Sequence, residues 1–406
     1  MTVPKLVDET LERRVIVFGS LPPQGRDLDL LARPEDARAL VTFLGRNGFV
    51  ERGGEWVRFR DCTADSVDIR STDELRLPAD ELQVLFEEGR EIPGFGRLVR
   101  PAPWHVLLLV AERVHAEGGA LSAKRRRRVE SALEEEPDAW AIANERAPTW
   151  NAVHALAALK LACKRGPSAA AEPRPGRKRP IVVAFSGVDG SGKTTQLDAL
   201  RTALGRLGIS AEREYVRIEW LTLTGNRILS AIAAPAKWLA NVATRSPRRP
   251  SPDVSTEPYD AGRAMRERSA LITHAWVLIV AIAHARVQRR ATRKRESRVV
   301  ICDRYTLDAV VWLRFHYGRR RSFRLQTFLL RALSRTPVRA YYLDVEPRAA
   351  LGRKVEHFGL RELEVLRSLY REECERCGFT RLDGERSREE LCAVIAQDVW
   401  DGLHGR

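Results

Sequence analysis

Gly187-Val188-Asp189-Gly190-Ser191-Gly192-Lys193-Thr194 fits the pattern G-x-x-x-x-G-K-[ST], and Thr195 follows it. Glycines let a backbone turn tightly and aim its N–H groups at phosphate oxygens, while the start of a helix adds positive potential. In such a turn Lys193 reaches the β- and γ-phosphates of ATP, and the Thr194 hydroxyl sits on Mg²⁺. The pattern requires a buried strand before it and a helix after it. The apolar run Ile181–Phe185 and the helical spacing of Lys193–Leu207 meet both requirements. Further on, the apolar run Val299–Cys302 ends in Asp303-Arg304-Tyr305. An acid at the carboxyl end of a buried strand is placed to hold Mg²⁺ or its waters, Arg304 beside it can neutralise phosphate charge, and Tyr305 next to them is a candidate substrate-binding residue.

A second group of candidates precedes these. Gly19-Ser20 is followed by a Pro-rich turn and then Asp27-Leu28-Asp29. On a strand, residues two apart share a face, so both carboxylates can share a divalent cation. Asp68, in Ser66-Val67-Asp68-Ile69-Arg70, can supply a third ligand, and Gly19-Ser20 can approach a triphosphate by backbone and hydroxyl. The competing reading is a strand end whose Asp residues make turn and cap hydrogen bonds, or a retained fold without activity.

The elements that must position these groups divide into two domains. Residues 1–164 begin with short strands (Arg14–Phe18, Trp56–Arg60, Ser66–Arg70) around a helix over Pro34–Gly48, and become helical throughout Pro101–Lys164. Residues 165–180 hold four Pro and five basic residues with no apolar period, which predicts a linker. Residues 181–406 alternate buried strands, including Ala340–Leu343, with long helices. That alternation predicts an α/β fold with a parallel, doubly wound sheet. Residues 244–262, with Pro247, Pro250, Pro252 and Pro258, read as a disordered insertion in the second domain.

The chain has 406 residues, enough for two cores, and 44% hydrophobic with 30% charged residues excludes a disordered chain. Net charge is +15, carried by 60 Arg and only 9 Lys. Arg offers phosphate a fork of donors, although an Arg-biased solvated surface accounts for the same composition. Six unevenly spaced Cys predict reduced thiols, and Cys374-x-x-Cys377, with no partner pair, reads as a coincidence on a helix. The beginning of the chain has no signal-peptide pattern. The longest apolar run, Ala270–Ala285, contains two His and falls short of the roughly 20 residues of a bilayer span. The expectation is a cytoplasmic protein with no membrane partner.

The second half, over about residues 180–403, resembles the thymidylate kinase family. The likeness rests on Gly187–Gln196, Asp303-Arg304-Tyr305, the helix bearing Ala283-x-Ala285-Arg286-Val287-Gln288, and the late strand Tyr342–Pro347 with the basic stretch after it. The resemblance implies a P-loop kinase using ATP and Mg²⁺, with Arg286 binding an acceptor nucleotide and a lid whose cations are Arg353, Lys354 and Arg361. It also implies a homodimer. Two places depart from the family: Arg213–Trp220, including Arg217, replaces the loop that holds the acceptor phosphate, and Asp308 with Val311-Trp312-Leu313 replaces the base-gripping residues after Tyr305. The donor half of the site is therefore complete in sequence and the acceptor pocket is rebuilt.

The first half, over roughly residues 12–164, resembles the polymerase-β-type nucleotidyltransferases, through Gly19-Ser20, the Asp pair, Trp56–Arg60, Val67-Asp68-Ile69 and Arg100–Val110. The resemblance implies an α+β domain followed by helices, with Asp27 and Asp29 on metal.

Three basic runs (Lys124–Arg128, Arg289–Arg298 and Arg319–Arg321) read as solvated faces or as polyanion attractors; no nucleic-acid motif accompanies them. His105, on an apolar helical face, reads as a core histidine. The leading expectation is Mg²⁺-dependent phosphoryl transfer from ATP to a nucleotide-type or other phosphorylated acceptor. The alternatives are nucleotidyl transfer by the first domain, or a regulator that binds nucleotide or nucleic acid without turnover.

Overall fold

In a computed structural model, residues 2–22, 25–75, 77–165, 180–215, 270–293, 297–317, 323–353 and 358–404 are described. Residues 166–179 of the expected linker, the expected insertion 244–262, and Arg217, Lys354 and Arg319–Arg321 lie outside these residues. The chain is α/β and divides into two compact units, one from residues up to 178 and one from most of the remainder.

The first unit carries a mixed seven-stranded sheet in the order β3-β4-β5-β2-β1-β7-β6. Its strands are β1 (Val15–Phe18), β2 (Leu28–Ala32), β3 (Val50–Arg52), β4 (Glu55–Arg60), β5 (Thr63–Ser71), β6 (Arg90–Glu91) and β7 (Leu98–Arg100). β1 and β2 pair antiparallel, so the chain reverses between Phe18 and Leu28. β2 and β5 pair parallel in a register that sets Asp29 opposite Asp68. Helix α1 (Val3–Thr10) precedes β1, α3 (Ala79–Glu87) lies between β5 and β6, and α2 (Pro34–Arg46) connects β2 toward β3. It opens on Pro34 at its first turn with Glu35 and Asp36, which suit a helix N-terminus. Leu40 and Leu44, one turn apart, bury its inner face with Val15, Val17, Leu28 and Leu30.

The other core of this unit is helical. The helices α4 (Pro103–Ala116), α5 (Ala123–Glu135), α6 (Ala139–Arg146) and α7 (Val153–Lys164) pack with Trp104 and Trp150 at their centre. Each indole N–H finds a carboxylate: Trp104 Nε1 donates to Glu88 at 2.9 Å and Trp150 Nε1 to Glu81 at 2.8 Å. His105 stands beside them, its ring 3.5 Å from that of Trp104, and is fully buried. Among the described residues neither ring nitrogen has a hydrogen-bond partner. Burial, aided by the charge of Arg146, pushes the imidazole down to about 3.

That position makes a pH-dependent prediction. A histidine whose folded pKa lies below its unfolded value of 6.5 must be kept neutral in the fold, so the unfolded state binds the extra proton as pH falls. Stability should decline below pH 6.5 at up to about 1.4 kcal/mol per pH unit until about pH 3. His105→Leu should flatten that slope and leave stability at pH 7 unchanged or higher, since it removes two unsatisfied polar atoms. Denaturant melts of both proteins at pH 7 and pH 5 check this; equal slopes in both would contradict it.

The second unit is a five-stranded, wholly parallel sheet in the order β12-β11-β8-β10-β9. The strands are β8 (Ile181–Ser186), β9 (Ala211–Tyr215), β10 (Val299–Asp303), β11 (Arg339–Asp344) and β12 (Thr380–Asp383). The central strands are buried on both faces: Val182 and Ala184 point into one apolar layer, while Val183 and Phe185 are equally enclosed. This is why they read as continuous apolar runs rather than as alternating ones. Helices α8 (Lys193–Arg206), α9 (Ala270–Ala291), α10 (Thr306–Tyr317), α11 (Arg324–Leu333), α12 (Pro347–Arg353), α13 (Leu360–Cys374) and α14 (Arg388–His404) complete the described part of the unit. None of the described helices is long and apolar enough to cross a membrane, α9 included.

Cys374 closes α13 and donates its S–H to Phe379 O at 3.1 Å. Burial holds the Cys374 and Cys377 thiols high, at about 11 and about 12, so both stay protonated at neutral pH.

Candidate functional site

β8 is the middle strand, and the chain leaves it on one side to form β9 and β10 and later crosses to β11 on the other. Open parallel sheets place ligands outside the carboxyl ends of the strands where the order reverses in this way. Residues 187–192 make the turn from the end of β8 into α8. Gly190 has φ +74°, and a Cβ there would collide with the carbonyl oxygen of Ala350. A side chain is excluded on both grounds.

Lys193, the first residue of α8, folds back over the turn. Its Nζ donates to Gly187 O at 2.8 Å and Val188 O at 2.7 Å, and stands 3.7 Å from an Asp189 oxygen. The side chain is buried, and burial together with the charge of Arg304 pulls it down to about 8, against Asp189, Asp308 and Asp303. Thr194 and Thr195 are exposed one and two positions further along the helix.

Asp303 ends β10, the strand next to β8, in register with Phe185. It is 3% exposed, yet among the described residues its Oδ1 has no hydrogen-bond partner. Its Oδ2 accepts from Arg213 Nη2 at 2.7 Å, and the same nitrogen approaches Thr194 Oγ1 at 3.5 Å. An orphaned buried carboxylate oxygen beside a threonine hydroxyl suits a Mg²⁺ ion, which takes one or two protein oxygens and fills its shell with water and phosphate. Asp303 and Thr194 are the residues that would hold it, and the ion would supply positive charge to phosphate oxygens. Arg213, which joins the two, is a site residue that sequence reasoning names only as part of a divergent loop. It lies on β9, and only the pairing of β9 with β10 brings it to Asp303.

Arg304 adopts φ +72° and donates its amide to Phe185 O at 2.9 Å, which locks the turn between β10 and α10 against β8. Its guanidinium bonds Asp189 in the glycine-rich turn and lies 3.6 Å from Asp308. Tyr305 is placed otherwise than expected: the side chain is fully buried in the core and its hydroxyl donates to Arg335 O at 2.6 Å. Its amide, not its ring, meets the site, donating to Asp308 at 2.9 Å. Next to the turn, Val188, Arg304, Val311, Trp312, Phe315 and Phe358 line a cavity of about 70 Å³ whose walls are mostly apolar.

Arg286 is exposed on α9. Arg353 is exposed at the end of α12, where its Nη1 donates to Gly384 O at 3.3 Å, and Arg361 is exposed in the first turn of α13. Among the described residues, no hydrogen bond joins any of these three to Lys193 or Asp303. Instead α13 contributes Arg367 and Arg371, which donate to the buried Asp344 at 2.7 and 2.8 Å. Despite burial, those bonds hold Asp344 below the usual carboxylate range.

In the first unit the sheet gathers the three expected carboxylates. Asp29 is opposite Phe18 of β1 on one side and Asp68 of β5 on the other, and Asp27 lies immediately before β2. Burial, with repulsion from Asp27 and Asp68, raises Asp29 against the pull of Lys124 and Arg128. Each carboxylate meets an arginine: Asp27 with Arg26 at 3.0 Å, Asp29 with Arg128 at 3.7 Å and Asp68 with Arg70 at 3.4 Å. Arg128 also covers the turn after β1. Gly19 has φ +77°, and a Cβ there would lie 2.9 Å from Arg128 Nη2. Among the described residues no group of three or more His, Cys, Asp or Glu is arranged to hold a metal ion.

The basic run Lys124–Arg128 is therefore more than a solvated face. Arg125 pairs with Glu117, Arg126 donates to the carbonyls of Ala162 and Cys163 at the end of α7, and Arg128 reaches Asp29. Successive helical residues diverge by about 100°, so one run serves three neighbours.

No protein-family model matches the chain, and no curated protein matches it either.

Proposed function

We propose that the second unit transfers a phosphoryl group from ATP to a nucleotide-type acceptor with the help of Mg²⁺, as a thymidylate-kinase-like P-loop enzyme on a doubly wound sheet. The observation that carries this reading is Lys193, buried in a glycine-rich turn at the carboxyl end of the central strand, with an unpartnered Asp303 oxygen at the end of the adjacent strand. ATP phosphates would lie on residues 187–195 against the turn's N–H groups and Lys193. Phosphoryl transfer asks little covalent chemistry of a protein and much positioning and charge stabilisation. In this reading Arg304 orients the acceptor phosphate from beside Asp189, and Arg217 and Arg286 assist. Arg353 and Arg361 are lid cations that approach only when substrate is bound. The mostly apolar cavity beside Trp312 and Phe315, at about 70 Å³, has room for a small apolar group of the acceptor and not for its whole body.

Incubation with ATP, Mg²⁺ and a panel of nucleoside monophosphates, nucleosides and sugar phosphates tests the reading, with ADP and pyrophosphate measured separately. ADP that depends on one acceptor class supports it. No ADP above the rate without acceptor, over the whole panel, overturns it.

A second reading is favoured by the register that sets Asp29 against Asp68 with Asp27 beside them. There the first unit moves a nucleotidyl group and releases pyrophosphate, with Gly19, Ser20 and Arg128 at the triphosphate. Asp29→Asn should then reduce pyrophosphate formation by about 10²-fold or more while leaving ADP formation by the second unit unchanged. Equal pyrophosphate release from both proteins would reject it.

A further inference from the structure

Asp308 is buried to 2% exposure and both of its oxygens are engaged. Oδ2 accepts from the Ser186 hydroxyl and from Tyr305 N at 2.9 Å. Oδ1 accepts from the Tyr370 hydroxyl at 2.7 Å and, at the long limit of 3.5 Å, from Gly187 N, while Arg304 stands 3.6 Å away. These donors come from the end of β8, the first residue of the glycine-rich turn, the β10–α10 corner and the middle of α13. Tyr370 is itself fixed: its ring stacks on Tyr342 of β11 at 5.2 Å and 9°. In each of these contacts the facing group is the donor and a carboxylate oxygen the acceptor.

We propose that Asp308 is a positioning residue for the phosphate cradle. Held by Tyr370, it fixes Ser186 and the first amide of the glycine-rich turn, and it holds Arg304 against that turn. The turn is thereby ordered before ATP arrives, so less ordering remains to be done on binding. The network also ties the turn to α13, the helix whose Arg367 and Arg371 grip Asp344. The inference rests on the reading of residues 187–195 as an ATP-phosphate cradle and goes beyond it to the device that shapes the cradle.

Two substitutions separate this role from a tie within the core. Tyr370→Phe keeps the stacked ring and deletes one donor. Asp308→Asn keeps the shape and turns one oxygen into a donor that must face another donor. Dissociation constants for ATP and for inorganic tripolyphosphate are measured on the full chain, well below each variant's melting midpoint, and the midpoints are recorded alongside. Asp308→Asn should weaken both ligands by about tenfold and Tyr370→Phe by several-fold, with equal ratios for the two ligands because the effect lies at the phosphates. Midpoints that fall while both affinities stay within about twofold of the original would overturn the proposal. If Asp308→Asn does not fold, Tyr370→Phe decides by the same criterion. Failure of the unsubstituted protein to bind either ligand would overturn the cradle reading and this inference with it. That result is distinct from unchanged affinity in the variants, which overturns the inference alone.

Discussion

Replacing Lys193 by Ala is expected to lower ATP-dependent phosphoryl transfer by at least about 10²–10³-fold, the usual effect of removing one preorganised charge from a transferring group. The ammonium group is held over the turn by hydrogen bonds to Gly187 O, Val188 O and Ser191 Oγ, so it stands in the cradle before phosphates arrive and exchanges part of these bonds for phosphate oxygens. Loss of fold should not explain the result. The substitution removes three hydrogen bonds but also a cation in a buried place, and the net stability change should stay within about 2 kcal/mol. Circular dichroism and the thermal midpoint check that condition. The same side chain predicts a pH dependence. Its ammonium is held down to about 8, so in the free protein it loses charge as pH rises through that value, and ATP affinity should fall above pH 8. Titrations of ATP between pH 7 and 9 measure this, and Lys193→Ala should abolish that slope. Substantial ADP formation by Lys193→Ala would sink the assignment of the turn.

The second large effect belongs to Asp303. Asp303→Asn keeps the volume and replaces a charged oxygen with an amide, so the response to Mg²⁺ should nearly vanish and turnover should fall by about 10²-fold or more. Binding of ATP without Mg²⁺ should be preserved or tightened, because a negative charge is removed from beside the phosphates. This second measurement separates a cation role from damage to the fold, which would weaken both. A variant with full Mg²⁺ activation would contradict the role given to the orphaned Oδ1.

How far these groups can be read from the chain depends on sequence distance. The turn at residues 187–194 is legible because eight consecutive residues specify it, and the apolar runs at Ile181–Phe185 and Val299–Cys302 announce buried strands whose ends carry chemistry. Tyr305 reads as facing a substrate because it adjoins Asp303 and Arg304. In the fold, Arg304 adopts a left-handed backbone and the chain reverses there, which sends the next side chain into the core. Tyr370 is illegible in the sequence. It is 62 residues from Asp308, and nothing local to Leu369-Tyr370-Arg371 distinguishes a hydroxyl that meets a carboxylate from one that meets water.

Arg213 and Arg128 are hidden for related reasons. Each lies among other charges in the sequence, and its target is set by strand pairing or helix phase rather than by neighbours in the chain.

By itself the sequence determined the local pieces: an alternation of strands and helices in its second half, a glycine-rich turn ending in Lys193 and Thr194, and acids at strand ends. Hydrophobic period and turn chemistry act over a few residues, so they survive in one dimension. The tertiary structure alone decided the strand order, which sets β10 beside β8 and so Asp303 beside the turn, and the register that faces Asp29 with Asp68. It also decided which arginines of a basic run point inward and which buried groups converge on Asp308. Those relations are long-range hydrogen bonds and packing contacts, and they exist only once the sheet has chosen its neighbours.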